Sequence, residues 1–147
     1  MGRDHPRDLR DALREAALTA FLDTNVIIRH LVGEPPDQAA RATAALASGE
    51  ALLLSDVVFA ECVFVLESYY EQPPKSVAQQ MRSALACPSV RTVDKKSLLR
   101  ALAIYEIDGI HFAEAHLAAQ AEATGVGEIL SFDRSIDRVA SVSRREP

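Results

Sequence analysis

The stretch Ala20-Phe21-Leu22-Asp23-Thr24-Asn25 decides the fold of this chain. It is a short apolar run that stops on a carboxylate, which two small polar residues follow. Such a run is typical of a buried parallel strand, and ligands of open α/β sheets bind at the carboxyl ends of the strands. Asp23 is therefore either the N-cap of a following helix or a residue of a functional site.

Length and composition indicate one globular domain. The chain has 147 residues, of which 48% are hydrophobic and 25% charged, so it can build a single core and is not a disordered protein. No apolar run approaches the ~18 residues of a membrane span, and the polar N-terminus carries no signal-peptide core. We therefore expect a cytoplasmic protein. The net charge of −5 argues against nucleic-acid binding by bulk charge, but not against binding through local basic patches and metal-neutralised carboxylates.

Short apolar segments alternate with helical segments along most of the chain. Residues 1–18 predict an N-terminal helical extension, and residues 19–147 predict the main domain. The predicted strands cover 19–23, 52–54, 90–93 and 128–131, with a fifth around 139–142 and a frayed tail from Arg144. The predicted helices cover 25–32, 37–47, 56–70, 76–86, 95–107 and 111–124. This alternation is typical of βα units that form a mostly parallel sheet in an α/β fold.

Polar residues at the predicted helix starts have the character of N-caps. Asp37, Ser55 and Asp94 each precede a helical run, and Ser76 opens a capping-box pattern, Ser-Val-Ala-Gln. Gly125 is the expected C-cap of the last helix.

Four acidic residues occupy comparable places along this pattern. Asp23 ends the first strand, Glu61 lies in the helix after the second, and Asp133 follows the fourth. Glu114 lies one turn into the helix that begins near His111. Each has a structural alternative as a cap, a first-turn acid or an ion-pair partner. Glu61 is the least natural as scaffold, because its neighbours are small or apolar and unpaired charges are rarely buried.

A metal site explains why one fold would place four carboxylates together. Carboxylates at close range repel one another, and their pKa values rise unless a cation is present. Oxygen ligands without clustered Cys or His suit a hard cation, Mg²⁺ or Mn²⁺. Such an ion activates water and stabilises the leaving oxygen in phosphodiester hydrolysis.

Four motifs stand in a recognisable order: Asp-Thr-Asn at 23–25, Ala-Glu-Cys at 60–62, His-Phe-Ala-Glu-Ala-His-Leu-Ala-Ala at 111–119 and Ser-Phe-Asp-Arg at 131–134. The ordered set resembles the PIN-domain family, and within it the small ribonuclease toxins of the VapC type from bacterial toxin–antitoxin pairs. The resemblance covers about Thr19 to Val142.

The resemblance implies a three-layer α/β/α domain with a mostly parallel four- to five-stranded sheet. It also implies cleavage of single-stranded RNA by water attack with Mg²⁺ or Mn²⁺, a homodimer, and a cognate antitoxin whose C-terminal segment plugs the active site. The implied catalytic and metal-binding residues are Asp23, Glu61, Glu114 and Asp133, with Thr24, Asn25 and Ser131 in support. From the residues themselves, His111 is a supporting candidate because it lies one turn before Glu114. Arg29 and Arg134 are candidate phosphate contacts because they flank Asp23 and Asp133. The family usually has Asp where this chain has Glu114.

Three other readings remain open from the residues. A catalytically silent PIN-like domain would bind RNA or protein without cleaving it. A phosphatase of the aspartyl-phosphate type also begins with an Asp at a strand end, but it needs a second Asp where this chain has Asn25. A response-regulator receiver needs an early acidic pair and a late Lys, and neither is evident in the chain.

Overall fold

The computed structural model describes residues 17–147. The predicted N-terminal helix therefore lies, except for its last two residues, outside the described part of the chain. The described residues form two compact units: one runs up to Phe59 and includes Ala84–Val93, and the other comprises Ala60–Ser83 and Asp94–Pro147.

The first unit contains a three-stranded parallel sheet. Its strands are β1 (Ala20–Phe21), β2 (Leu52–Leu53) and β3 (Val90–Arg91), in the order β1-β2-β3. Backbone hydrogen bonds continue the ladder one residue further, from Leu22 N to Leu53 O at 2.8 Å and from Leu54 N to Arg91 O at 2.8 Å. The ladder therefore ends next to Asp23, as the apolar run predicts.

The second unit contains a parallel pair, β4 (Glu128–Leu130) and β5 (Ser143–Arg145). The predicted fifth strand at the end of the chain is confirmed, but it lies at Ser143–Arg145 and not around 139–142, so the prediction of a frayed tail from Arg144 is wrong. Val139 instead ends a 3₁₀ helix, Arg134–Arg138. The strand forms later because Arg144, with 11% of its side chain exposed, binds Asp137 at 3.0 Å and so holds the tail in place.

Six α-helices connect these strands, as predicted. They are α1 (Thr24–Val32), α2 (Pro36–Ala47), α3 (Asp56–Ser68), α4 (Pro74–Leu85), α5 (Lys95–Ile107) and α6 (Phe112–Thr124). Two predicted starts are wrong. Asp37 lies in the first turn of α2 and does not cap it, and Ser76 lies inside α4. Both helices begin earlier, at a proline, because proline presets a helical φ and lacks the N–H that a first helical residue leaves unpaired.

The other predicted caps are confirmed by hydrogen bonds. Ser55 Oγ accepts from Val58 N at 3.3 Å at the start of α3. Asp94 Oδ1 accepts from Ser97 N at 3.1 Å at the start of α5. Gly125 ends α6 with a φ of 75°, a left-handed conformation that favours glycine.

Each unit has an apolar core of its own. Ile27, Leu46 and Leu54 are fully buried in the first unit, and Leu102 and Ile104 in the second. The predicted α/β class with parallel strands is confirmed, and the elements are consistent with a three-layer α/β/α fold; the strands pair as three and two. Among the described residues, no helix has the length and apolar character to cross a bilayer.

Candidate functional site

Asp23 is both a helix cap and an accessible carboxylate. It follows the end of β1, is exposed, and accepts a hydrogen bond on Oδ1 from Thr24 N at 2.9 Å. Thr24 itself is only 6% exposed, so the first turn of α1 is anchored in the core. The cap engages one of the two carboxylate oxygens.

A cleft between α1 and α2 in the first unit contains two further predicted residues. Asn25 and Arg29 of α1 face Gln38 and Arg41 of α2 across a volume of about 400 Å³. Arg29 Nε donates a hydrogen bond to Gln38 Oε1. We call this the α1–α2 cleft; its floor is apolar and consists of Val26, Ala42 and Ala45.

Asp133 is held in place by two serines in the second unit. Its backbone N–H donates to Ser131 Oγ at 3.0 Å, and its Oδ1 accepts from Ser135 N at 2.9 Å. Hydrogen bonding to Ser135, together with the charges of His111 and Arg138, lowers the pKa of Asp133. This carboxylate is therefore ionised at neutral pH.

A second cleft lies between α3 and α6, within the second unit. Its volume is about 330 Å³, and Phe64 and Glu67 of α3 line it together with His111 and Glu114. The remaining lining residues are Ala60, Val63, Phe112 and Ala113. We call this the α3–α6 cleft. It brings His111 and Glu114 together as the helical spacing predicts, and the charge of His111 also reaches Asp133.

Two further predicted residues, His111 and Arg134, lie at the starts of helices. His111 is exposed and stands at the N-cap position of α6, but its side chain makes no capping hydrogen bond. Arg134 is exposed at the start of the 3₁₀ helix, where its charge, after the ion pair with Arg144, helps to lower the pKa of Asp137.

Glu61 differs from its expected environment. The sequence predicts a carboxylate among buried apolar neighbours, but Glu61 is exposed while Cys62 and Val63 are buried. The helix turns Glu61 outwards because its neighbours occupy the core-facing side of α3. Burial therefore gives no support to a role for Glu61, and that role stays a prediction.

Sequence reasoning missed Glu67 and Arg41. Glu67 lies six positions after Glu61 in α3, lines the α3–α6 cleft and accepts a hydrogen bond from the Tyr105 hydroxyl. The test applied to Glu61, an acid within an apolar helix, would also have found it. Arg41 follows Gln38 by three residues, a spacing that places both on one helix face.

The donors available for a metal are carboxylates. Within residues 17–147, no three His, Cys, Asp or Glu side chains gather closely enough to hold an ion. The chemistry of the predicted set still suits a hard cation, because Asp23 and Asp133 each use Oδ1 in a cap and carry a second oxygen.

The comparisons with known proteins identify the family. No curated protein matches the chain. The family model described as a PIN domain matches residues 20–142, which is most of the chain. Domains of this family are generally nucleases and typically use divalent metal ions. The chain therefore belongs to the PIN domain family.

Proposed function

We propose that this protein is a Mg²⁺- or Mn²⁺-dependent endoribonuclease that hydrolyses phosphodiester bonds of single-stranded RNA. The observation that carries the proposal is shared by Asp23 and Asp133. Each follows a parallel strand of a PIN domain, and each has one carboxylate oxygen held at 2.9 Å by a backbone N–H. Side chains in that place lie where α/β folds bind their ligands.

In this proposal four acids hold the ion, and neighbouring residues orient two of them. Asp23, Glu61, Glu114 and Asp133 are the proposed ligands. When bound, the ion lowers the pKa of a water molecule and neutralises charge on the phosphate. Ser131 orients the backbone of Asp133. Thr24 N donates to Asp23 and keeps that carboxylate in place.

Exposed aromatic side chains favour a single-stranded substrate. Phe132, which immediately precedes Asp133, is 73% exposed. Phe64 lines the α3–α6 cleft and is 64% exposed. Aromatic side chains stack on unpaired bases, at about 1–3 kcal/mol per base, whereas the bases of a duplex are already stacked. RNA with free bases is therefore the better substrate.

The toxin role, the antitoxin partner, the homodimer and the cytoplasmic location belong to the same proposal. The apolar residues of α4 are buried in the structure, so they give no reason for a dimer. Those of α3 do: Val57 is 78% exposed and Phe64 64% exposed, and Tyr69, just after the end of the helix, is 77% exposed. A monomer at micromolar concentration in light scattering would contradict the homodimer.

The decisive experiment compares metals and two aspartates. We expect labelled single-stranded RNA to be cleaved in Mn²⁺ or Mg²⁺ and to stay intact in EDTA. Asp23→Asn preserves the cap but removes the charge, so cleavage should fall about 1,000-fold or more. Asp37→Asn is the matched control, because Asp37 is an exposed acid in the first turn of α2, outside the proposed site.

Two outcomes would overturn the nuclease. Equal cleavage in EDTA and in Mn²⁺ would exclude the metal mechanism. RNA binding with no cleavage in either metal would favour the silent PIN-like domain. For the toxin role, induced expression in a bacterium should arrest growth, and Asp23→Asn should abolish the arrest.

A further inference from the structure

We propose that the α1–α2 cleft binds the sugar-phosphate backbone of the RNA, with Arg29 and Arg41 as its phosphate contacts. The inference rests on the proposed function for its substrate class. It adds a binding surface to that function, because Gln38 and Arg41 are not among the predicted site residues. The observations that carry it are the shape of the cleft, the placement of its guanidinium groups and the absence of acidic partners for them among residues 17–147.

Helical spacing turns the polar side chains of both helices into the cleft. Asn25 and Arg29 are four residues apart on α1, and Gln38, Arg41 and Ala45 follow a three-and-four spacing on α2. The two arginines therefore line the same volume of about 400 Å³, one from each helix. An extended, singly stranded backbone fits such a groove, because its phosphates can meet donors on both sides.

The Arg29 side chain is held in position before any ligand arrives. Its Nε donates to Gln38 Oε1, so the guanidinium bridges the two helices. A second bridge, from His30 Nδ1 to Thr43 Oγ1 at 2.8 Å, joins the same helices on another side. Preorganisation of this kind reduces the entropy lost on binding. The terminal nitrogens of Arg29 are the ones left to contact a phosphate.

Within the described part of the chain, neither arginine has an acidic partner. Among the described residues, no acidic side chain forms an ion pair with Arg29 or Arg41, although Arg82, Arg100, Arg144 and Arg145 each have one. In a chain of net charge −5, two uncompensated guanidinium groups lining one cleft are a local anion-binding surface. Arginine suits phosphate in particular, because its planar fork can donate two hydrogen bonds.

The cleft is continuous with the candidate active site along the chain. Asn25 lines the cleft and follows Asp23 by only two residues, in the first turn of α1. A strand bound in the cleft therefore passes close to the Asp23 carboxylate. The apolar floor of Val26, Ala42 and Ala45 can accept the sugar faces of the same strand.

The experiment measures binding separately from cleavage. The probe is a fluorescein-labelled oligouridylate of about twelve nucleotides, a length that a single-stranded site can cover, and the buffer contains EDTA so that no metal-dependent cleavage occurs. Fluorescence anisotropy gives the Kd of the parent, of Arg29→Gln/Arg41→Gln and of Lys95→Gln/Lys96→Gln. The last variant is the matched control: it also removes two positive charges, and both lysines are exposed in the first turn of α5.

We expect the double arginine variant to bind about tenfold more weakly and the double lysine variant to stay within about twofold of the parent. The slope of log Kd against log salt should fall by about 1.4 in the arginine variant, because each lost phosphate contact contributes about 0.7 for single strands. Circular dichroism shows whether each variant is folded. If Arg29→Gln unfolds the protein, Arg41→Glu alone supplies the test, since Arg41 is exposed.

An unchanged Kd and salt slope in the arginine variant would overturn the proposal, as would a parent that binds no RNA. Labelled polyglutamate, measured in the same anisotropy assay, is a second probe. If the double arginine variant loses polyglutamate binding but retains RNA binding, the cleft serves an acidic protein segment and the proposal is also overturned. If the double arginine variant loses RNA binding and the parent cleaves no RNA, this inference is supported and the proposed nuclease activity is refuted. The failure of the inference and the failure of the proposed function are therefore distinguishable.

Discussion

The α1–α2 cleft and the α3–α6 cleft are similar in size and opposite in chemistry. The first has about 400 Å³ and presents two guanidinium groups and two amides. The second has about 330 Å³ and presents Glu67 and Glu114 with His111 among apolar walls. One therefore suits an anion and the other a cation. The net charge of −5 therefore says little about the substrate, because the positive and the negative side chains are separated into different surfaces.

Among the variants that compare the two clefts, the one expected to change activity most is Glu114→Gln, which should affect catalysis and not RNA binding. Glu114→Gln keeps the shape of the side chain and removes its charge, so metal affinity and cleavage should fall together, by about 100-fold. Glu114→Asp should retain substantial activity. We expect Mn²⁺ to support more activity than Mg²⁺, because Mg²⁺ demands stricter geometry of the longer glutamate. A metal titration of RNA cleavage for the three proteins measures this.

RNA binding in EDTA serves as the control for that series. Because Glu114 belongs to the α3–α6 cleft and not to the α1–α2 cleft, its replacement should leave the Kd for RNA within about twofold of the parent. Cleavage by Glu114→Gln at the parental rate in both metals would reduce Glu114 to a first-turn acid that favours the helix dipole.

Filling each cleft tests the same comparison without changing any charge. Ala45→Phe places a ring in the α1–α2 cleft. It should weaken RNA binding about tenfold, because the ring would keep the RNA backbone from reaching its contacts in the cleft. Ala113→Phe does the same in the α3–α6 cleft and should slow cleavage while binding in EDTA stays close to parental. Reversed effects of the two variants would show that the roles of the clefts are exchanged.

A smaller effect, on stability, is expected at the hydrogen bond between Tyr105 and Glu67, which lines the α3–α6 cleft. Tyr105 is buried, and its hydroxyl donates to Glu67. Tyr105→Phe should lower the free energy of unfolding by about 1 kcal/mol at pH 7, because Glu67 loses its hydrogen-bond donor. Urea denaturation measures the change, and Tyr69→Phe, on an exposed side chain, is the control that should change nothing.

The same tyrosine gives the parent an alkaline sensitivity. Burial, and then the bond to Glu67, raise the pKa of Tyr105 above its ordinary value of about 10. The folded protein then holds a proton that the unfolded chain releases, so stability is complete below pH ~10 and falls as the pH rises further. Tyr105→Phe should lose less stability over that range, and equal losses would contradict the assignment.

The smallest expected effect uses a carboxylate at the other end of α6. Arg100 donates to Glu122 at 2.9 Å and 2.8 Å and thereby lowers the pKa of Glu122. Glu122→Gln should cost about 0.5–1 kcal/mol at pH 7, since the pair is partly exposed to water. The stabilisation is present above the ordinary glutamate pKa and is lost as the pH falls through the lowered value. The difference from the parent should therefore vanish in acid urea titrations.

Local signals explain why most elements are predictable from this sequence. The apolar run before Asp23, the caps at Ser55 and Asp94 and the glycine at 125 all act within a few residues. Patterns of that range are fully contained in the sequence. The start of α4 was mispredicted because a proline and a capping box competed within the same few residues, and the proline prevailed.

The candidate site was predictable only in part, because signals that act within a few residues do not show how distant residues pack together. The order of Asp23, Glu61, Glu114 and Asp133 along the chain indicated the family, which the match over residues 20–142 confirms. The order did not reveal that Glu61 is exposed or that Glu67 lines the α3–α6 cleft. Which side of an almost wholly apolar helix faces solvent depends on what packs against it.

By itself, the sequence determined the alternation of strands and helices, the family and the places of the acids, since these depend on short-range periodicity and on motif order. Only the tertiary structure decided the rest. It built β5 because Arg144 finds Asp137 seven residues away and Ser131 thirteen away. It placed Arg29 and Arg41 across one cleft because two helices pack side by side. Contacts between distant residues settle such features, and no local pattern encodes which of them form.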